Sequence, residues 1–117
     1  KDDEIGLFGR EGDVGKPIGS DVREGKKTLF YTELLASADE QTIQRLDGVF
    51  GNPAAGSKDV DWFRSIVESS GARERVNAYL SRYAEEAEHL IGCLSEVDES
   101  AKDVLLEMHR YNLERTR

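Results

Sequence analysis

A single cysteine, Cys93, leaves the sequence with no possible internal disulfide. It falls within a helical apolar pattern, where a thiol serves as a small packing residue, so no chemistry is assigned to it. Apolar runs are short as well. None approaches the roughly 20 residues that span a bilayer, which excludes a transmembrane helix. No segment with a basic start and an apolar middle marks a secretory signal, and a cytoplasmic location is the expectation. A basic surplus is also missing. Sixteen Lys/Arg against 24 Asp/Glu give a formal net charge of −8, which argues against nucleic acid as a partner because phosphate backbones require a basic face. Finally, there is no initiator methionine, since the sequence starts at Lys1 and its one Met is Met108. The acidic, apolar opening has the pattern of a helix whose beginning is missing, so the C-terminal part of a longer chain is expected.

What the sequence does have is helical periodicity. With 38% apolar and 34% charged residues in 117 positions, it has the composition of one globular domain. No stretch alternates apolar and polar residues long enough for a strand, and the expected class is all-α. A helix end runs to about Phe8 and stops at Gly9, followed by a glycine-rich loop over 10–25, long enough to be functional. Helical pattern resumes near Lys26 through Leu35. Ser37-x-x-Glu40 has the form of a capping box opening a short helix that buries Ile43, Leu46 and Phe50. Asn52-Pro53 and Gly56 break the pattern. A helix from about Asp59 carries Val60, Phe63, Ile66 and Val67, with Trp62 flanking, and ends at Ser69-Ser70-Gly71. The longest element, about Ala72 to Leu94, spaces Val76, Leu80, Tyr83, Ala87, Leu90 or Ile91, and Leu94 by fours and threes. Val97, Ala101, Val104, Met108 and Tyr111 repeat that spacing, which predicts an antiparallel helical hairpin.

Chemistry-bearing residues crowd into the first quarter. Asp2 and Asp3 sit in the opening helix, and Lys16, Asp21 and Lys26 follow in the loop; between Arg10 and Lys27 there are five Lys/Arg against four Asp/Glu, unlike the acidic remainder. Oxygen ligands of this type hold a hard cation such as Mg²⁺, while fixed ammonium groups neutralise phosphate charge, so the set suits a metal-assisted diphosphate site. Neighbouring helical residues point about 100° apart, so Asp2 and Asp3 diverge whereas Asp2 and Gly6 stack on one face. One acid then ligates directly and the other works through water. A P-loop does not fit. The glycine needed five positions before Gly15 is replaced by Arg10, and Pro17 stands where a Ser/Thr would ligate magnesium.

Asp2-Asp3-x-x-Gly6, Leu7-Phe8-Gly9, Gly15-Lys16-Pro17-Ile18-Gly19-Ser20-Asp21 and Arg23-Glu24-Gly25-Lys26-Lys27-Thr28 together resemble the second aspartate-rich motif and following loop of the trans-isoprenyl diphosphate synthases. The likeness is to the geranylgeranyl and farnesyl diphosphate synthases of archaea and bacteria, within the polyprenyl synthetase family. Tyr79-x-x-x-Tyr83-Ala84-x-x-Ala87 and the terminal hairpin are compatible with that family's C-terminal portion. The resemblance implies that residues 1–117 are the C-terminal portion of one all-helical prenyltransferase domain, part of an isoprenoid-synthase-type antiparallel bundle, homodimeric and Mg²⁺-dependent. Its reaction would condense an allylic diphosphate head to tail with isopentenyl diphosphate.

By the same resemblance, Asp2 matches the direct metal ligand, Asp3 its neighbour acting through metal-bound water or hydrogen bonds, and Asp21 a further carboxylate reaching the metal through water. Lys16 and Lys26 match the lysines that hold the allylic diphosphate. Gly6 departs from the pattern, since many members carry a third aspartate there. Arg115 and Arg117 are similar to a basic tail that closes over the site in some members, though arginines also suit a helix C-terminus unaided. His89 and His109 stand isolated and receive no role. The first aspartate-rich motif and the residues that hold isopentenyl diphosphate would lie upstream, so the segment alone is expected to be inactive. Two competing readings are a non-catalytic partner subunit or degenerate paralogue, against which the intact acids and lysines stand, and a terpene cyclase, whose usual second motif is Asn/Ser/Glu-based.

Overall fold

In the computed structural model, residues 1–9, 17–95 and 97–115 are described, and they form seven α-helices with no strand among them. The helices are α1 (Asp2–Phe8), α2 (Ser20–Arg23), α3 (Leu29–Ser37), α4 (Glu40–Val49), α5 (Ser57–Ser69), α6 (Ala72–Gly92) and α7 (Glu99–Glu114). The all-α expectation holds. The chain divides into two compact units, residues 2–76 and residues 77–115, with the boundary inside α6.

In the first unit α1 packs on α2, and α5 packs against both α3 and α4. Phe30 and Leu34 from α3, Leu46 and Val49 from α4, and Val60, Phe63 and Val67 from α5 make the buried centre, joined by Ile5, Leu7, Val22 and Val76. Aromatic rings knit it further: Phe8 meets Phe30 edge-on at 5.5 Å and Tyr31 stacks on Phe50 at 3.9 Å between centroids. Arg75 ties the start of α6 to α3, donating to Glu33 Oε2 at 2.8 Å and, through its other nitrogens, to the Glu33 carbonyl, the Ser37 hydroxyl and the Ser70 carbonyl, each at 3.0 Å.

Several local expectations change. The stretch over 10–25 is not all loop, because Gly19 and the residues after it build the single turn α2. Ser37 does not cap α4. It closes α3, its hydroxyl donating back to the Glu33 carbonyl at 3.2 Å, while Asp39 accepts from Thr42 N at 2.8 Å and is the true N-cap. Ile43 is exposed and Val49 buried. Those two lie on opposite sides of Leu46, about 60° away each, and the packed face turns toward Val49.

The second unit behaves differently. Arg110 of α7 donates to Glu88 of α6 at 3.2 Å, so α7 folds back on α6 as a hairpin requires. Yet α7 has no buried residue. Val104, Met108 and Tyr111, the apolar stripe expected to face inward, are 53%, 58% and 66% exposed. The less exposed face is instead Lys102, Leu106 and His109, nearly opposite on the helix wheel. In α6, Tyr83 and Leu90 are likewise exposed, as is Leu94 just beyond its end at Gly92, and its buried residues, Ala72 and Val76, belong to the first unit.

Candidate functional site

The acidic end of α1 and the short helix α2 are held together by the backbone. Gly19 N donates to the Gly6 carbonyl at 3.2 Å, and Val22 N and Arg23 N then donate to the Gly19 carbonyl at 3.1 and 3.2 Å, which starts the turn of α2. Gly19 has φ +77°, and a Cβ there would lie 2.5 Å from Val60 Cγ1, so both its backbone angle and its contact with α5 require glycine. Arg23 fixes the turn from its far side, donating to the Ala55 carbonyl at 2.9 Å and the Ile18 carbonyl at 3.0 Å.

The turn after α2 is clamped in a similar way. Gly25 has φ +67° and Gly51 φ +76°, a Cβ on Gly25 would sit 3.1 Å from Gly51 Cα, and Gly51 N donates to the Val22 carbonyl at 2.8 Å. Lys26 N bonds the Asp21 carbonyl at 2.9 Å, and Thr28 caps α3 by accepting from Tyr31 N. These bonds give Asp21 and Lys26 fixed starting points on a rigid frame.

Their side chains meet. Lys26 Nζ lies 2.5 Å from Asp21 Oδ1 and 3.5 Å from Glu24 Oε2. The hydrogen bond to Asp21, reinforced by the charges of Asp21 and Glu24, raises the Lys26 pKa above the ordinary lysine value. The other oxygen of the same carboxylate, Asp21 Oδ2, rests over Gly6, where an added Cβ would be only 3.2 Å away. Position 6 is one helical turn from both Asp2 and Asp3, so the Asp21 carboxylate sits on the side of α1 that both acids flank. Asp3 is half-buried. Its carboxyl is pushed above the ordinary aspartate value by that burial first, then by the Asp21 and Asp2 charges, with Lys26 pulling the other way.

Asp3, Gly6, Asp21, Lys26 and Thr28 rim a small cleft floored by Phe30, Phe50 and Phe63. Its volume of about 10 Å³ admits roughly one water-sized particle, so this cleft is a place for an ion or a water and not for a prenyl chain. Asp2 is exposed on the first turn of α1 and is not part of the rim. Lys16 lies outside the described residues, as do Arg10 and Arg117. The structure therefore brings together Asp3, Asp21 and Lys26. Glu24 was missed by the sequence reading, although its place two residues before Lys26 in Arg23-Glu24-Gly25-Lys26 signals a competing anion. The aromatic floor was legible only as core, not as the wall of a cleft.

A divalent cation fits this donor set in part. Two carboxylates forced together with partial burial favour a cation beside them, and Lys26 supplies only one charge. Among the described residues, no group of three or more carboxylate, imidazole or thiol side chains is gathered tightly enough to hold a metal alone. Mg²⁺ usually takes one or two carboxylates and completes its octahedron with water and substrate phosphate, so Asp3 and Asp21 could hold it only together with such further ligands. On the other flank, Arg73 stacks over Phe8 at 4.0 Å and pairs with Glu4 at 3.6 Å, which leaves Glu4 bound outside the cleft. No helix among the described residues is long and apolar enough to cross a membrane.

No protein-family model matches the chain, and no solved structure gives a significant match. Curated proteins do. Geranylfarnesyl diphosphate synthase of Aeropyrum pernix is 31% identical over 117 residues, which is 100% of this chain and 36% of that protein. A short chain isoprenyl diphosphate synthase of Methanothermobacter thermautotrophicus is 32% identical over 114 residues, 97% of this chain and 34% of its own length. Geranylgeranyl diphosphate synthase of Saccharolobus solfataricus is 39% identical over a shorter span of 66 residues, 56% of this chain and 20% of its own. The chain thus spans about a third of the length of the relatives that match it throughout. Similarity along the full 117 residues, to proteins of one kind, agrees with the ordered motif of the first quarter: the chain belongs to the trans-isoprenyl diphosphate synthase family.

Proposed function

We propose that this chain is the C-terminal portion of a cytoplasmic, homodimeric prenyltransferase that condenses an allylic diphosphate with isopentenyl diphosphate to a longer all-trans prenyl diphosphate. The observation that carries the reading is the Asp3–Asp21–Lys26 cluster over Gly6, an anion-rich rim with one lysine beside it, in a chain whose relatives are named as diphosphate synthases. Asp2, Asp3 and Asp21 are the residues that would hold Mg²⁺, and Lys16 and Lys26 those that would bind the allylic diphosphate. When bound, the cation neutralises diphosphate charge.

In the reaction, the allylic C–O bond breaks and its electron pair leaves with the diphosphate. Lys26, and Lys16 with it, meets negative charge that grows as that bond stretches, so their attraction is stronger in the transition state than in the ground state. The isopentenyl double bond then attacks the allylic cation, and loss of a proton from the adduct restores a double bond. Lys26 reaches the diphosphate by releasing Asp21 and Glu24, its partners in the structure.

The longer protein provides the test. With allylic and isopentenyl diphosphates it should form prenyl diphosphate, and Lys16→Ala, Lys26→Ala and Asp2→Ala should each lower turnover by on the order of 10². Near-normal rates in these variants would refute the site assignment, and no product from the unaltered protein would favour a non-catalytic subunit instead. The 117 residues alone, having no upstream aspartate motif, should show no turnover.

A further inference from the structure

A second, larger cleft opens beside α2. Its volume is about 560 Å³, within the range of small-molecule sites, and it shares no lining residue with the small cleft rimmed by Asp3 and Asp21. Asp21 faces one and Arg23 the other, as residues two apart, about 200° on a helical turn, can do. Phe8, Ile18 and Val60 give the larger cleft apolar walls, while Arg23 and Arg64 set two positive charges against one acid, Asp61, among the described lining residues. The chain as a whole carries −8.

Both arginines keep binding capacity. Arg23 is anchored by two backbone carbonyls, Nε donating to Ala55 at 2.9 Å and Nη1 to Ile18 at 3.0 Å, which hold its plane without neutralising its charge. Among the described residues no carboxylate pairs with it, and further N–H donors of the same plane remain. Arg64 stands 6.0 Å from the Phe8 ring centre and 3.6 Å from Asp61, whose side chain is 70% exposed, so that pair is loose. Ser57 brings the first turn of α5 to the same cleft. The N-cap of this 13-residue helix is Gly56, which has no side chain to cap it, and Ser57 N and Lys58 N have no intrahelical acceptor.

We propose that this cleft binds a soluble amphiphilic phosphate ester, with the anionic head on Arg23, Arg64 and the first turn of α5 and the apolar tail along Phe8, Ile18 and Val60. Planar guanidinium groups match phosphate oxygens, and only a ligand with both parts uses both kinds of lining. A bare anion leaves the apolar walls in water. A neutral hydrocarbon leaves the arginines without a counter-charge. A membrane phospholipid has the same chemistry, but an anionic bilayer repels a chain of net charge −8. The inference goes beyond the proposed reaction and requires no turnover.

The experiment is a methyl NMR titration of the full-length protein in EDTA, with geranyl diphosphate, inorganic diphosphate and anionic phospholipid vesicles as separate probes. Methyl groups of Ile18 and Val60 report this cleft, and those of Leu7 and Val22 the cleft rimmed by Asp3 and Asp21. Geranyl diphosphate should shift Ile18 and Val60 saturably. Inorganic diphosphate should bind there at least about 10-fold more weakly for want of a tail, and vesicles should not bind. Arg64→Gln should weaken geranyl diphosphate binding about 10-fold through lost charge-assisted hydrogen bonds. Asp61→Asn should tighten it about 2- to 5-fold, since it removes the carboxylate that competes for Arg64. A purely structural role for the pair would not give effects of opposite sign. The absence of saturable shifts at Ile18 and Val60, shifts confined to Leu7 and Val22, equal affinity for inorganic diphosphate, binding to vesicles, or a null or reversed effect of either variant would each overturn the inference. A protein that forms prenyl diphosphate but shows no such shifts loses this cleft alone; one that shows them without forming product loses the proposed reaction alone.

Discussion

Residues 2–76 and residues 77–115 have similar helical patterning and opposite packing. Every buried apolar residue among those described lies from Ile5 to Val76, and none lies in the second unit. In the first unit, turns of special geometry fold short helices onto each other, and five of them share one core. The second consists of the rest of α6 and α7, joined by an exposed ion pair, with Tyr83, Leu90, Met108 and Tyr111 facing outward. Periodicity is thus a statement about a helix having an apolar face, and only neighbours decide whether that face is covered.

The largest test of the contrast is a pair of truncations. Phe63→Ala should destabilise the 117-residue chain by about 3–5 kcal/mol in urea denaturation, whereas Met108→Ala should change it by less than about 0.5 kcal/mol. Equal costs would erase the distinction. In a longer chain of the kind proposed above, a cost above about 1 kcal/mol for Met108→Ala would mean that the outward face of α7 is covered there.

Next in size is Gly19→Ala, expected to destabilise by about 1–3 kcal/mol, since it combines a positive φ with a methyl group driven into Val60. The same replacement at Gly92, which meets nothing within 4 Å, should be neutral or slightly stabilising in the same assay. A neutral Gly19→Ala would remove the frame on which Asp21 is placed.

The smallest effect concerns helix caps. Asp39 caps α4 in the first unit and Asp98 caps α7 in the second, and hydrogen bonds from Thr42 and Ser100 hold both carboxyls below the ordinary aspartate value. A depressed folded-state value means that each cap's contribution is complete above the unfolded pKa, about 4, and is lost as pH falls through the depressed value. Circular dichroism on acidification, compared between Asp39→Ala and Asp98→Ala, should show α7 fraying first. Leu46 and Val49 anchor α4, whereas α7 has no buried residue to hold it. Equal losses of helicity would show that burial does not separate the two.

Much of this was legible from the sequence, and the limits are instructive. The helix ends at Phe8, Ser69-Ser70-Gly71 and the Asn52–Gly56 break follow from glycine and local capping chemistry, which act within a few residues. Asp39 displaced Ser37 as a cap because both types cap well and only the observed backbone selects between them. The meeting of Asp3, Asp21 and Lys26 could be expected from family likeness but not from periodicity. It depends on the Gly19–Gly6 backbone bond and the Gly25–Gly51 approach, contacts between residues distant in sequence. For α7 the pattern chose the wrong face, since the stripe that is least exposed contains Lys102 and His109.

The close backbone approach of Gly25 and Gly51 also bears on how such chains can change. Gly25 accepts no side chain while Gly51 remains where it is, because a Cβ would come within 3.1 Å of Gly51 Cα, and Gly51 is held to glycine by its φ of +76°, so the two positions constrain the loop together. A lysine loop transplanted from a relative would dock only if the α4–α5 turn of that relative came with it, and exchange of either piece alone should yield a loop of correct sequence with Lys26 held at the wrong height.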